Sequence, residues 1–286
     1  MAREHGISWL NVPGRIGETW NPVIGCSPVS EGCKNCYAAR MAKRLWGMDA
    51  LGTYAGLTTG GVYNGKIARG RQLGLPAAWR KPRFCFVCSM GDFCHEAVPQ
   101  EWNDDVLRTI AAGSVHHRYA FLTKRPERMA GVVEGWGDLR DRIILGTSIE
   151  NQKTADERLP HLLELAAQGW QTMVSYEPAL GPVDFGFRNE PRIDWLVIGG
   201  ETGPGARACD VEWIHSAAGQ AAAAGVRCFV KALGSQPLCS CTAHEARCVG
   251  GLSDSRGAIP SEWPEDLQRV REWPEFLTDS GVLGES

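Results

Sequence analysis

Six short apolar runs follow one another along the chain from residue 84 onward: FCFVCSM (84–90), YAFLT (119–123), RIILGTS (142–148), QTMVSY (171–176), DWLVIGG (194–200) and RCFVKA (227–232). Each has the length of a buried strand. Amphipathic stretches stand between them, among them PQEWNDDVLRTIAAG, PERMAGVVEGW, TADERLPHLLELAAQG and VEWIHSAAGQAAAAG. Near-continuous apolar strands alternating with helices predict a parallel sheet covered on its outer face. The extended stretch ahead of Cys26 brings the count to six or seven βα units. The expected fold class is therefore α/β, a partial (βα)6-type, TIM-like barrel of parallel strands, with a doubly wound open sheet as the alternative. At 286 residues and 43% hydrophobic composition, the chain has material for one large core or two modest ones. We read one domain over 1–286, with its core at about 18–232 and a cysteine-containing extension with an acidic tail over 233–286. No apolar run is long enough to span a bilayer, and MAREHGISWL lacks the apolar segment of a secretory signal, so the expectation is a cytoplasmic protein with no membrane partner.

Polar residues crowd the C-terminal end of every run. In order they are Ser89 with Asp92 and His95, Thr123 with Lys124 and Arg125, Ser148 with Glu150 and Asn151, then Glu177, Glu201 with Thr202, and Lys231. Parallel α/β folds place their chemistry at that edge, so these side chains are expected to converge. Glu177, Asp92 and Lys231 are the candidates for catalytic roles. Lys124 and Arg125 suit a phosphate or carboxylate of the substrate. In IGGETGPGAR (198–207), Gly199 and Gly200 follow a buried strand, where bare backbone lets a ligand approach, and Glu201 has acceptors for an ammonium or a ribose hydroxyl. A plain tight turn is the competing account of that stretch.

The string TWNPVIGCSPVSEGCKNCYAAR (19–40) gathers Cys26, Cys33 and Cys36 directly after an extended stretch. A structural zinc or a fully ligated iron–sulfur cluster takes four protein ligands, whereas three thiolates on a cubane leave one iron open. The following CYAARMAKRLWG reads as a helix stopped by Gly47, which sets Cys36 at a helix N-terminus, where exposed amides favour a thiolate. The alternative is a structural zinc completed by Cys94 or His95. The chain holds 11 cysteines, more than a cytosolic protein uses for disulfides. Cys209 and Cys228 read as small buried hydrophobes. Cys239, Cys241 and Cys248, with His244 among them, form a possible second metal site. Residues 48–75, rich in glycine, read as a long loop, either a lid or a surface facing nucleic acid.

Radical S-adenosylmethionine enzymes hold a [4Fe–4S] cluster by three cysteines in one loop, most often spaced Cys-x3-Cys-x2-Cys. This loop reads Cys-x6-Cys-x2-Cys. With MGDFCHEAVP, FLTKRPERM, SIENQKTADERLP, SYEPALGPVDF and DWLVIGGETGPGAR, it makes residues 18–232 resemble the phage-associated three-Cys-motif proteins, a radical-SAM-like family. The resemblance implies a partial barrel, a [4Fe–4S] cluster on Cys26, Cys33 and Cys36, and S-adenosylmethionine as cosubstrate. It implies cosubstrate contacts from Tyr37, Ser89, Ser148, Glu150, Gly199, Gly200 and Glu201. One electron delivered to the sulfonium would release methionine and a 5′-deoxyadenosyl radical. An electron donor such as a flavodoxin or ferredoxin, a possible partner protein, and a bacterial or phage-infected cytoplasm complete the expectation.

The formal net charge of −3 gives no global basic footprint, but its distribution is uneven. From Arg40 to Arg83 there are nine Lys or Arg against one acid, Asp49, whereas from Asp254 onward there are eight acids and three arginines. A basic segment beside the cysteine loop suits phosphates, so the expected substrate is nucleic acid or a nucleotide, modified or repaired. The rivals are radical modification of a small molecule or peptide, and a non-catalytic, zinc-stabilised nucleic-acid-binding module.

Overall fold

The computed structural model describes residues 6–48, 51–187, 193–240 and 252–278. Seven strands carry the fold: β1 (Ile16–Trp20), β2 (Arg83–Val87), β3 (Arg118–Thr123), β4 (Ile143–Ile149), β5 (Gln171–Tyr176), β6 (Trp195–Gly199) and β7 (Arg227–Ala232). They are hydrogen-bonded neighbours in chain order, with no reversal. The fold is mixed α/β, a seven-stranded parallel sheet flanked by helices. The main helices are α1 (Tyr37–Trp46), α2 (Gln100–Ala112), α3 (Gln152–Ala167) and α4 (Val211–Ala224). The chain divides into two compact units, one of residues 1–146, 169–171 and 275–286, the other of 147–168 and 172–274.

In the first unit β1 pairs β2 in parallel from Ile16↔Arg83 to Trp20↔Val87, and β2 pairs β3 from Phe84↔Arg118 to Val87↔Phe121. Phe84, Cys85 and Val87 lie fully out of water, so this strand is apolar on both faces, as a central parallel strand must be. Trp9 packs at 5.7 and 5.3 Å from Phe84 and Phe86, and Phe93, Phe121 and Trp136 form a second aromatic group with centroids within 5.5 Å. Each such buried ring contributes about 1.5–3 kcal/mol of transfer free energy. Helix α2 buries Asn103, Val106 and Ile110, a three-and-four spacing that is one helix face. The stretch expected as a helix over PERMAGVVEGW forms only a 3-10 turn, Pro126–Arg128, and a single α turn, Met129–Val132. Gly131 and Gly135, the latter at φ 81°, remove the propensity a longer helix needs.

The glycine-rich segment after α1 is not a bare loop. Thr58–Thr59 and Val62–Tyr63 form a hairpin, and Ala68–Arg69 pairs antiparallel with Val23–Ile24, directly before the first cysteine. Leu57 and Tyr63 are buried with Ile24, Ala38, Ala39, Ala42 and Met90, and the Tyr63 hydroxyl donates to the Met90 carbonyl at 2.7 Å. A segment stitched in this way is a wall of the cysteine loop, which corrects the expectation of a lid.

In the second unit β6 lies between β5 and β7, parallel to both, with a bulge at Ile198/Gly199. Helix α3 starts at a reciprocal cap: the Asn151 carboxamide accepts from Thr154 N at 3.1 Å, and the Thr154 hydroxyl accepts from Asn151 N at 3.1 Å. Asp210 caps α4 by accepting from Glu212 N at 3.0 Å, and Gly225, in the left-handed region, ends it. Ala217, Ala218 and Ala221 allow α4 to lie close over this core, which also holds Ile198, Val230 and Leu233. Trp263 and Leu267, from the C-terminal extension, are buried members of the same core. Among the described residues, no helix is long and apolar enough to cross a membrane.

Candidate functional site

Backbone contacts fix the first cysteine from both sides. Gly25 sits at φ 93°, where a side chain would overlap the Lys66 carbonyl, and its N–H donates to Met90 O at 3.0 Å. The Cys26 carbonyl accepts from Gly65 N at 3.0 Å. The chain then turns through Glu31–Cys33, where Cys33 N donates to Ser30 O at 3.0 Å, and enters α1 with Cys36 as the residue before its first turn. Cys26, Cys33 and Cys36 are half-exposed, whereas Cys85, Cys88, Cys94, Cys209 and Cys228 are buried. Cys33 is close enough to act electrostatically on both Cys26 and Cys36, so the three thiols share one neighbourhood.

Arg125, just beyond the end of β3, clamps this loop. Its Nη2 donates to the Ser27 hydroxyl at 2.7 Å and the Ser27 carbonyl at 3.2 Å, and its Nη1 to Cys26 Sγ at 3.6 Å. The same guanidinium is held by Asp92 Oδ2 at 3.0 Å and Glu96 Oε2 at 3.1 Å. Asp92 is itself fixed by the Thr123 hydroxyl at 2.6 Å and Cys94 N at 3.0 Å. Those contacts occupy all five guanidinium N–H donors. With side chains only 6% and 7% exposed, Arg125 and Asp92 form a buried pair that positions Cys26 and Ser27. Arg125, expected to take a substrate anion, and Asp92, expected in catalysis, are here engaged with each other and with the loop. Lys124 is half-buried beside them, its charge reaching Cys36. On the other side, the Tyr37 hydroxyl donates to Ser89 O at 2.7 Å, and Asn21 Oδ1 accepts from the Ser89 hydroxyl at 3.2 Å and Met90 N at 2.8 Å.

Burial, with the Asp92 carboxylate second, pushes the Cys26 thiol up to about 12, against the lowering effect of Arg125. Burial also raises Cys36, outweighing the Ala39 and Ala38 amides that face it. The helix N-terminus is there as expected, but it does not make Cys36 a free thiolate. His95 is not placed as a ligand. Its Nδ1 accepts from Ala97 N at 3.1 Å, which leaves Nε2 as the donor to the Ser27 hydroxyl at 2.9 Å. Burial and then Arg125 hold it below the usual histidine range.

The remaining expected residues lie in the second unit and have protein partners. Lys231 and Glu177 form an ion pair. Glu201 takes Arg207 through both oxygens, at 2.5 and 3.0 Å, and Arg158 donates to Ser148 O at 2.7 Å and Glu150 Oε1 at 3.4 Å. Gly200 lies so near the Leu233 carbonyl and Gly234 that a side chain would overlap them, so its bareness serves backbone packing. Gly199 faces the Glu177 side chain. Cys239 is disulfide-bonded, while Cys241, His244 and Cys248 lie outside the described residues.

A family model described as a protein of unknown function, DUF5131, matches residues 5–257. The chain belongs to this family. No curated protein and no solved structure matches it. The match overturns the resemblance to phage-associated radical-SAM-like proteins: membership is in DUF5131, and nothing in that match carries a cluster or a cosubstrate. Among the described residues of this DUF5131 chain, no three His, Cys, Asp or Glu are gathered round a point that would hold a single metal ion.

What the DUF5131 loop offers chemically is three partly buried thiols and a fixed cation beside one of them. Sulfur donors of a mononuclear zinc stand roughly 4 Å apart, given Zn–S near 2.3 Å in a tetrahedron. A cubane asks each thiolate for a different iron, so its sulfurs stand wider. Cys94 is buried and both His95 nitrogens are engaged, so neither stands ready as a fourth ligand beside the three cysteines. Sequence reasoning missed Ser27, Asn21 and Glu96, whose roles come from hydrogen bonds to residues 29 to 98 positions away.

Proposed function

We propose that this chain is a radical S-adenosylmethionine enzyme acting on nucleic acid or a nucleotide, with Cys26, Cys33 and Cys36 as the residues that would hold a [4Fe–4S] cluster. The observation that carries the reading is the contrast in cysteine exposure: three half-exposed thiols in one clamped loop, against five other described free thiols that are buried. The reading rests on the loop and not on family membership. When bound and reduced by an external one-electron donor such as a flavodoxin or ferredoxin, the cluster supplies an electron to the sulfonium, giving methionine and a 5′-deoxyadenosyl radical. The chain's own part is positional. Arg125 and Asp92 fix the arm that carries Cys26, the hairpin wall shields it, and half-buried Lys124 adds positive charge that suits a carboxylate.

For the architecture we propose a partial (βα)-type barrel. What supports it is a strand order that follows the chain without reversal, since a doubly wound sheet changes direction at its switch point. The proposed location is the cytoplasm, where the free thiols of the loop stay reduced.

The test is anaerobic reconstitution with iron and sulfide, reduction, and addition of S-adenosylmethionine, with 5′-deoxyadenosine as the readout. Wild-type protein is expected to produce it and Cys33→Ala is not. Wild type that carries iron and sulfide yet never cleaves the cosubstrate contradicts the radical reading, and one tightly bound zinc per chain contradicts the cluster.

A further inference from the structure

Helix α1 buries small apolar residues and leaves larger ones at its surface. Its buried face is Ala38, Ala39 and Ala42, while Tyr37, Met41 and Trp46 are turned outward, Trp46 with 47% of its surface in water. Small residues inside let α1 lie against Leu57 and Tyr63 of the glycine-rich wall. Tyr37 is tied back through its hydroxyl to Ser89 O, so Met41 and Trp46 are the apolar side chains of α1 left in water, beside Lys43 and Arg44.

Between the C-terminal turn of α1 and the Thr59–Val62 hairpin lies an open groove of about 350 Å³, lined by Lys43, Trp46, Gly47, Thr58, Gly60 and Gly61. Its chemistry is specific. Among the described residues, the lining has one aromatic face, one ammonium, a threonine and bare backbone, with no acid and no aliphatic side chain. Arg44 adds a second cation in the same helical turn. A hydrocarbon ligand or a membrane surface asks for aliphatic lining on a convex face. A planar base beside a phosphate asks for what is present: a ring to stack on and a cation next to it.

We infer that this groove seats a nucleotide unit of single-stranded nucleic acid, its base stacked on Trp46 and its phosphate on Lys43. A duplex does not fit, because its base faces are covered. The inference deepens the nucleic-acid reading above and rests on it, but it does not depend on a cluster.

The test therefore uses full-length protein purified without reconstitution, and follows the anisotropy of a labelled oligothymidylate at two salt concentrations. Trp46→Ala is expected to weaken binding about tenfold, and Trp46→Phe to retain most of it. Lys43→Glu is expected to weaken binding and lower the log–log salt slope by about one or more. Lys153→Glu, an exposed charge on α3, leaves binding unchanged. Melting temperatures of the variants confirm that they fold. No binding by wild type, or Trp46→Ala binding like wild type, overturns the inference. So does sedimentation with anionic phosphatidylserine vesicles that requires Trp46 while oligonucleotide binding does not. A negative result here leaves the deoxyadenosine assay untouched, and failure of that assay with oligonucleotide binding intact removes the radical chemistry alone.

Discussion

Arg125 decides more about the cysteine loop than any cysteine does. Its guanidinium meets buried Asp92 and exposed Glu96 on one side and Cys26 and Ser27 on the other, and water reaches almost nothing of the Arg125–Asp92 pair. Removing one member of such a pair strands the other charge, at a cost of about 3–5 kcal/mol. Arg125→Ala is expected to lose that much in urea unfolding, and to retain less iron after reconstitution. Arg125→Lys keeps the charge but not the fork, and recovers part of the stability. A loss under about 1 kcal/mol for Arg125→Ala contradicts the clamp. His117 gives a second prediction. Burial lowers it to about 4, with Arg83 N donating to its Nδ1 at 3.3 Å, so the folded state keeps it neutral. A depressed histidine contributes fully above the unfolded value near 6.5 and loses that contribution as pH falls towards 4, up to about 3 kcal/mol. Wild-type unfolding free energy is expected to fall over that window, and His117→Leu to flatten the fall; equal pH dependence in both proteins contradicts the assignment. At this scale, the sequence showed which residue types crowd the strand ends. It did not show their partners, because Asp92 and Arg125 meet across a separation of 33 positions.

Elements divide into those that local chemistry dictates and those that tertiary contacts make. Helices α3 and α4 were legible as the amphipathic stretches TADERLPHLLELAAQG and VEWIHSAAGQAAAAG, whereas their caps at Asn151 and Asp210 came from the structure. The short Met129–Val132 turn and the pairing of Ala68–Arg69 with Val23–Ile24 were not, because two-residue strands and glycine-interrupted turns carry no periodicity. The glycines after β6 were read as room for a ligand, whereas Gly200 makes room for the Leu233–Gly234 backbone. Gly200→Ala is therefore expected to lower stability by about 1–3 kcal/mol through overpacking. A melting temperature equal to wild type contradicts that packing role.

Across the whole molecule, the alternation of apolar runs with amphipathic stretches foretold a parallel sheet of six or seven strands, and the sheet has seven, because strands buried on both faces carry an uninterrupted apolar signal. The same rhythm is shared by many α/β proteins and says nothing about chemistry, which is why family resemblance proved a poor guide and DUF5131 membership replaced it. The central claim is that the sulfurs of Cys26, Cys33 and Cys36 carry an incompletely ligated iron cluster. The measurement that addresses it most directly is the electron paramagnetic resonance spectrum of reduced, reconstituted protein before and after addition of S-adenosylmethionine. The account predicts a cluster signal that shifts on addition and is absent from Cys33→Ala. A signal indifferent to the sulfonium compound, or one that persists without Cys33, would contradict it.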